Sequence, residues 1–380
     1  MTDDTWIETQ LGKVCTLEKR AVHPSKLGPT LVNHFSLPAF DSGMKPERVS
    51  AAEIKSNKLE VLPRSVLVSK LNPQTPRIWE PEISIGEINV CSTEFAVLLP
   101  NESLYPGFLR YWIESEPVYS KIEELANGTS SSHQRVNLDD MMKISALLPP
   151  RDFQRKVTEL LSLFDRKIES RLRSESNILE IGDLMLSQLK QDGKTKIATL
   201  NELAEFHNKK RMPLSRLERD KRPGIYPYFG ATSIFGYVDD YLFDGTFLLI
   251  GEDGSVINSD GTAVMQLVEG KFWVNNHAHV LTGASVSTGV LFFILRDLQV
   301  DMAVTGAVQP KLSMGRFQAL EVEVPTELGK FVAFADIALH QVSAWRSEVQ
   351  RLKTLRDFLL AKFINNEVSI VGNDNVGNTS

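Results

Sequence analysis

The chain has 380 residues, with 48 acidic against 42 basic side chains, a net charge of −6 and an isoelectric point near 5.8. With 42% hydrophobic and 24% charged residues, it can bury sizeable cores, and its length suits two or three domains of roughly 150 residues. No apolar run approaches the ~20 residues a transmembrane helix needs. The start, Met1 to Trp6, is polar and unlike a secretory signal. The two cysteines, Cys15 and Cys91, are too few for a disulfide framework or a cysteine-rich zinc site, and fit a reducing cytoplasm.

In chain order, Leu11-Gly12-Lys13-Val14 comes first, with Pro24 thirteen residues after Leu11. Short β-branched and aromatic runs at Ser65–Ser69 and Glu94–Leu99 read as strands, and Tyr105–Ala126 as a short helix. The segment Gly128–Val136 then leads to Leu147-Leu148-Pro149-Pro150, with fourteen residues from Arg135 to Pro149. A long helix follows over 151–190, on the spacing of Phe153, Val157, Leu160, Phe164, Ile168 and Leu172, its prolines placed just ahead of the first turn.

The order then repeats. Leu200-Asn201-Glu202-Leu203 is followed by Pro213, again thirteen residues on. Strands are expected at Tyr226–Gly230, Phe235–Val238, Thr246–Gly251, Ala263–Val268 and His279–Leu281, and a short helix at Ser287–Asp301. Gly306–Leu312 leads to Glu323-Val324-Pro325, with fourteen residues from Lys311 to Pro325. A second long helix, 327–364, carries a heptad seam of Phe331, Ala335, Ala338, Val342, Trp345, Val349, Leu352, Leu359 and Phe363, broken in type only by Arg356. At ~1.5 Å per residue each helix is roughly 60 Å long. Two matched segment pairs in one order make the chain an internal duplication.

The expected architecture is α+β: two strand-rich globular domains, 1–150 and 194–325, separated by two long antiparallel coiled-coil helices, 151–193 and 326–364. A polar, glycine-rich tail over 365–380 is expected to be disordered. Phe334, Leu339, Leu355 and Phe358 lie off the main seam and suggest a second, partner-binding face.

Several motifs stand in a shared order. They are the Leu-Gly-Lys-Val opening with its counterpart Leu-Asn-Glu-Leu, Leu37-Pro38-Ala39-Phe40-Asp41-Ser42-Gly43, Glu53–Lys58 and Ser69-Lys70-Leu71-Asn72-Pro73. The second half adds Tyr226-Pro227-Tyr228-Phe229-Gly230-Ala231-Thr232, Ile250-Gly251-Glu252-Asp253-Gly254 and the glycine loops before each helix. With the domain–helix duplication, they resemble the specificity (S) subunit of Type I restriction-modification systems over about residues 6–364. The resemblance implies that each globular domain is a target recognition domain reading one half of a split double-stranded DNA target. It implies that the helices set the gap and dock two methyltransferase subunits, and that restriction subunits can join. This chain would then have no catalytic activity of its own. S-adenosylmethionine, ATP and Mg would belong to the partner subunits, with no cofactor or metal on this chain. The alternative is a stand-alone DNA-binding or adaptor protein on the same scaffold.

The overall acidity is unusual for a nucleic-acid binder. However, His207–Gly224 concentrates Lys209, Lys210, Arg211, Arg216, Arg219, Lys221 and Arg222 against Glu218 and Asp220, a cluster able to neutralise phosphates. The first half scatters Lys19, Arg20, Lys45, Arg48, Lys70 and Arg77. Base readers are flexible polar side chains on loops: Arg and Lys suit guanine, Asn and Gln adenine. The duplicated loops supply Ser130, Ser131, Ser132, His133, Gln134 and Arg135, then Gln309 and Lys311. Lys70 and Asn72 follow a strand, with Asp253 and Ser255 in the matching place of the second half. Tyr226 and Thr232 lie in the tyrosine-rich motif.

Rival chemistry lacks its parts. Asn72-Pro73-Gln74-Thr75 shares two residues with the Asn-Pro-Pro-aromatic motif of amino-methyltransferases but lacks the second proline and the aromatic, and no glycine-rich cofactor or phosphate loop is present. It reads as a turn. His277 and His279 alternate on a strand without a visible third metal ligand, and Gly251–Ser255 lacks EF-hand spacing. Cys15 reads as a core residue.

Overall fold

The computed structural model describes residues 5–84, 86–127, 134–254, 256–306 and 310–368. It divides into two compact units, residues 1–167 with 352–380, and residues 168–351. The units therefore cut through the long helices rather than ending at them. Each holds one strand-rich globular part and one segment of each helix.

In the first unit, Ile7–Gln10 pairs antiparallel with Ser145–Leu148. The single turn Leu11–Val14 buries both Leu11 and Val14 and passes the chain to Cys15–Glu18. That strand edges a four-stranded sheet in the order 15–18, 95–100, 66–69, 78–79. Cys15 is buried, its thiol pushed up to about 12 by burial. A five-stranded sheet runs 21–22, 58–60, 88–91, 31–35, 47–50. The expected helix Tyr105–Ala126 is two helices, Phe108–Glu114 and Glu116–Glu124. The break comes at Ser115, just ahead of Pro117, whose nitrogen has no hydrogen to continue the ladder.

The second unit repeats the opening. Thr195–Thr199 pairs antiparallel with Glu321–Pro325, the turn Leu200–Leu203 buries Leu200 and Leu203, and Ala204–Phe206 enters a sheet. This sheet has six strands in the order 204–206, 278–283, 243–251, 265–274, 223–229, 234–238. Its two longest strands place Gly245 opposite Gly270, at φ of 134° and 95°. That backbone region suits glycine, and the sheet can bend sharply there. The helix Thr288–Asp297 is buried from Gly289 to Leu295.

The long helices span Arg151–Asp192 and Lys330–Ile364. Within each unit their segments run antiparallel. In the first, Phe153 meets Phe363 edge to face and Asp165 pairs with Arg356. In the second, Arg171 pairs with Glu348 and Glu175 with Arg346. The one charged seam position, Arg356, is thus answered by a carboxylate.

Two details differ from the sequence reading. Leu172 is exposed; the first helix buries Val157 and Ile168 as expected, and adds Leu161, Leu179 and Leu186. Leu339 is buried and Phe334 packs against the same core, so only Leu355 and Phe358 of the off-seam set are exposed. Most of the tail, 369–380, lies outside the described residues.

Candidate nucleic-acid interface

Both globular parts build the same strand-end crossing. In the first, Ser69 pairs with Phe95. Lys70 N donates to Glu94 O at 2.8 Å, Val136 N to Lys70 O at 3.0 Å, and Asn72 N to Gln134 O at 2.9 Å, with Leu71 bridged to Arg135. In the second, Gly251 pairs with Ala278. Glu252 N donates to His277 O at 2.8 Å, Leu312 N to Glu252 O at 2.9 Å, and Gly254 N to Pro310 O at 3.0 Å, with Asp253 bridged to Lys311. Arg135 and Lys311 therefore occupy one backbone position in two copies. Lys70 corresponds to Glu252 and Asn72 to Gly254, one residue away from the sequence-based match of Asn72 with Ser255. The same frame brings in two residues that are not among the expected DNA contacts, Glu94 and its counterpart His277.

The side chains at the two crossings are differently charged. Arg135 Nη2 lies 2.9 Å from Glu94 Oε1, and Lys70 sits beside them with burial holding its ammonium below the ordinary value while Glu94 pulls it upward. Lys311 Nζ lies 3.4 Å from Asp253 Oδ1 and 3.6 Å from Glu252 Oε1. His277 Nδ1 lies 3.1 Å from Asp253 Oδ2. Burial pushes the Asp253 carboxyl up, but His277 and Lys311 more than reverse this and hold it below the usual range. Behind this layer, His279 is fully buried, bonded to Leu312 O at 2.8 Å and stacked on Phe317. The two histidines thus have separate duties, one in the core and one at the surface.

Other expected contact residues have partners within the fold. Arg77 makes a two-point pair with Asp41, at 2.7 and 3.0 Å, and its side chain is only 17% exposed. Arg211 is pinned by Glu252 Oε2 at 2.6 Å and by the carbonyls of Asn276 and Ala278. Arg222 pairs with Asp239, and Arg219 caps the Tyr228 ring and donates to Leu214 O. The dense cationic stretch is therefore half spent on the fold. Lys209, Lys210 and Lys221 stay exposed. Tyr226 is half-buried against Tyr241.

Thr232 is exposed in the turn after Phe229. The carbonyls of Gly230 and Ala231 in that turn accept from the Gln266 side chain. Gly230 itself leaves room for the Phe235 ring, which a Cβ would meet at 2.5 Å. Ile225, Phe235 and Tyr237 on this hairpin are exposed apolar residues that the sequence pattern did not single out. Lys45 is exposed between the helix Leu37–Asp41 and the strand Glu47–Ser50. Ser131, Ser132, His133, Ser255 and Gln309 lie outside the described residues. Among the described residues, no group of three or more His, Cys, Asp or Glu could hold a metal ion.

Residues 193–330, the strand-rich part of the second unit, match the model of the Type I restriction modification DNA specificity domain. Over that stretch the chain is similar to the specificity subunits of Type I restriction-modification systems. A Haemophilus influenzae protein described as a type I restriction enzyme specificity subunit is 31% identical over 141 residues, which are 37% of this chain and 36% of that protein. The Type I restriction enzyme EcoprrI specificity subunit of Escherichia coli is 30% identical over 149 residues, 38% of this chain and 35% of its own. The matches thus span about a third of the length of these relatives. For the fold, the S subunit of M. genitalium aligns with a TM-score of 0.58 at 16% identity, covering 96% of this chain and 97% of that one. That likeness extends the specificity-subunit fold to the first unit, which the family model does not reach.

Proposed function

We propose that this chain is the specificity subunit of a Type I restriction-modification system, that it binds double-stranded DNA and that each of its globular parts reads one half of a two-part target. The observation that carries the reading is the duplicated crossing, which sets Arg135 and Lys311 at one backbone position in two differently charged surroundings. Two related but diverged readers in one chain suit a target whose halves differ. Arg and Lys at the start of short strands have the chemistry to meet guanine edges or phosphates. Lys209, Lys210, Lys221 and Lys45 are exposed, and in this reading they contribute sequence-independent phosphate contacts.

The chain is the non-catalytic member of its complex. The long helices dock two methyltransferase subunits, with Leu355 and Phe358 offering exposed apolar contacts, and restriction subunits join the same assembly. S-adenosylmethionine, ATP and Mg serve those partner subunits. No helix among the described residues is long and apolar enough to cross a membrane.

The test is base-resolution methylation mapping in cells that express the chain with a Type I methyltransferase partner, beside a control lacking residues 194–380. A split motif whose second half is lost or altered in the control supports the reading. Methylation that is identical with and without this chain contradicts it.

A further inference from the structure

The two crossings share a backbone and differ in where they keep their carboxylate. The first copy carries Lys70, Glu94 and Arg135 at the three corresponding positions; the second carries Glu252, His277 and Lys311. In both, the cation of the third position lies against acid. Arg135 is held from the second position, by Glu94 at 2.9 Å. Lys311 is held from the first position and its neighbour, by Glu252 at 3.6 Å and Asp253 at 3.4 Å.

Fold stability does not explain the arrangement. The Arg135 side chain is 64% exposed and that of Lys311 50%, and ion pairs at such exposure contribute little to stability. Such a pair does two other things well. It fixes the direction of the remaining donors, which for the planar Arg135 guanidinium leaves a rigid fork suited to the paired acceptors of a base edge. It also cancels a charge that would otherwise settle on any phosphate, whatever the sequence.

We propose that Glu94 in the first domain, and Asp253 in the second, are specificity-determining positioning residues. Each holds its cation for reading base edges and withholds it from the phosphate backbone. Because the carboxylate approaches from a different strand end in each copy, the two cations present their donors in different directions, and the two halves of the target differ accordingly. The inference rests on the reading that these domains bind DNA.

The test uses the full chain with Glu94→Gln, Asp253→Asn and Arg135→Ala. Each binds two duplexes over a salt series, one carrying the motif mapped by methylation and one with that motif scrambled. Glu94→Gln is expected to bind the scrambled duplex more tightly. Its slope of log affinity against log salt steepens by ~0.9, the value of one added phosphate contact. Its preference for the motif falls by at least about fivefold, the low end for one well-held base contact. Asp253→Asn repeats this independently in the second domain. If both variants keep the wild-type slope and preference while Arg135→Ala weakens motif binding, the positioning role is overturned and DNA reading stands. If the wild type does not distinguish the two duplexes and Arg135→Ala behaves like it on both, DNA reading itself fails and takes the inference with it.

Discussion

Asp165 of the first long helix accepts a hydrogen bond from Arg356 of the second at 2.7 Å. The same carboxylate also accepts from Arg110 and from the Tyr111 hydroxyl, both on the helix Phe108–Glu114. One carboxylate therefore ties the first globular part to segments of both long helices, inside a largely buried cluster.

Removing that carboxylate leaves two guanidinium groups without their shared partner. Asp165→Ala is expected to cost about 3–5 kcal/mol, as breaking a buried charge pair does. Chemical denaturation of the isolated chain checks this. A loss under about 1 kcal/mol, no more than an exposed ion pair is worth, would show that the cluster does not hold the unit together.

The same group gives a pH dependence. Burial alone would raise the Asp165 pKa, but Arg110, Tyr111 and Arg356 outweigh it and hold the carboxyl below the ordinary aspartate value. With a folded pKa below the unfolded value of about 3.9, its contribution is complete above that value and is lost as pH falls through the folded pKa. Stability measured across the acid range should therefore fall more steeply for the wild type than for Asp165→Asn. Parallel curves would remove Asp165 from the acid response.

Gly182, within the first long helix, faces the Phe293 ring so closely that a Cβ would stand 2.1 Å from it. Gly182→Ala should then cost about 1–3 kcal/mol by overpacking, despite alanine being the better helix former. Phe293→Leu in the same chain should relieve part of that loss. A thermal melt in which Gly182→Ala is stabilised would contradict the close approach.

Leu355 and Phe358 are exposed on the second helix, whereas Val342 is fully buried. Leu355→Glu with Phe358→Glu should leave the isolated chain folded and reduce its recovery with methyltransferase subunits, read by native mass measurement of co-expressed complexes. Val342→Asp should instead disrupt the fold, because it buries an unpaired charge. Full assembly of the double variant would place the docking surface elsewhere.

The duplication, the two long helices and the matched positions of Arg135 and Lys311 were legible because they are local patterns: a spacing, a seam, a proline at a fixed distance. That both residues open two-residue strands rather than lie in loops was not legible. The pairing of charges was not. Arg77 and Arg211 look like free cations in the sequence, yet Asp41 and Glu252 occupy them. Glu94 lies 41 residues from Arg135, and only strand pairing brings them together. Leu172 fits the three-or-four spacing of the first helix but is exposed, since a spacing names a stripe and not what covers it. The tie through Asp165 was likewise hidden, although Arg356 as the one charged seam residue was a signal that a buried acid should face it.

The most direct measurement is base-resolution methylation mapping with the wild-type chain, Arg135→Ala and Lys311→Ala, each co-expressed with the same methyltransferase. The account predicts a two-part motif in the wild type, relaxed in one half by Arg135→Ala and in the other half by Lys311→Ala. Two variants that leave both halves intact, or that blur both halves alike, would contradict the assignment of one reader to each domain.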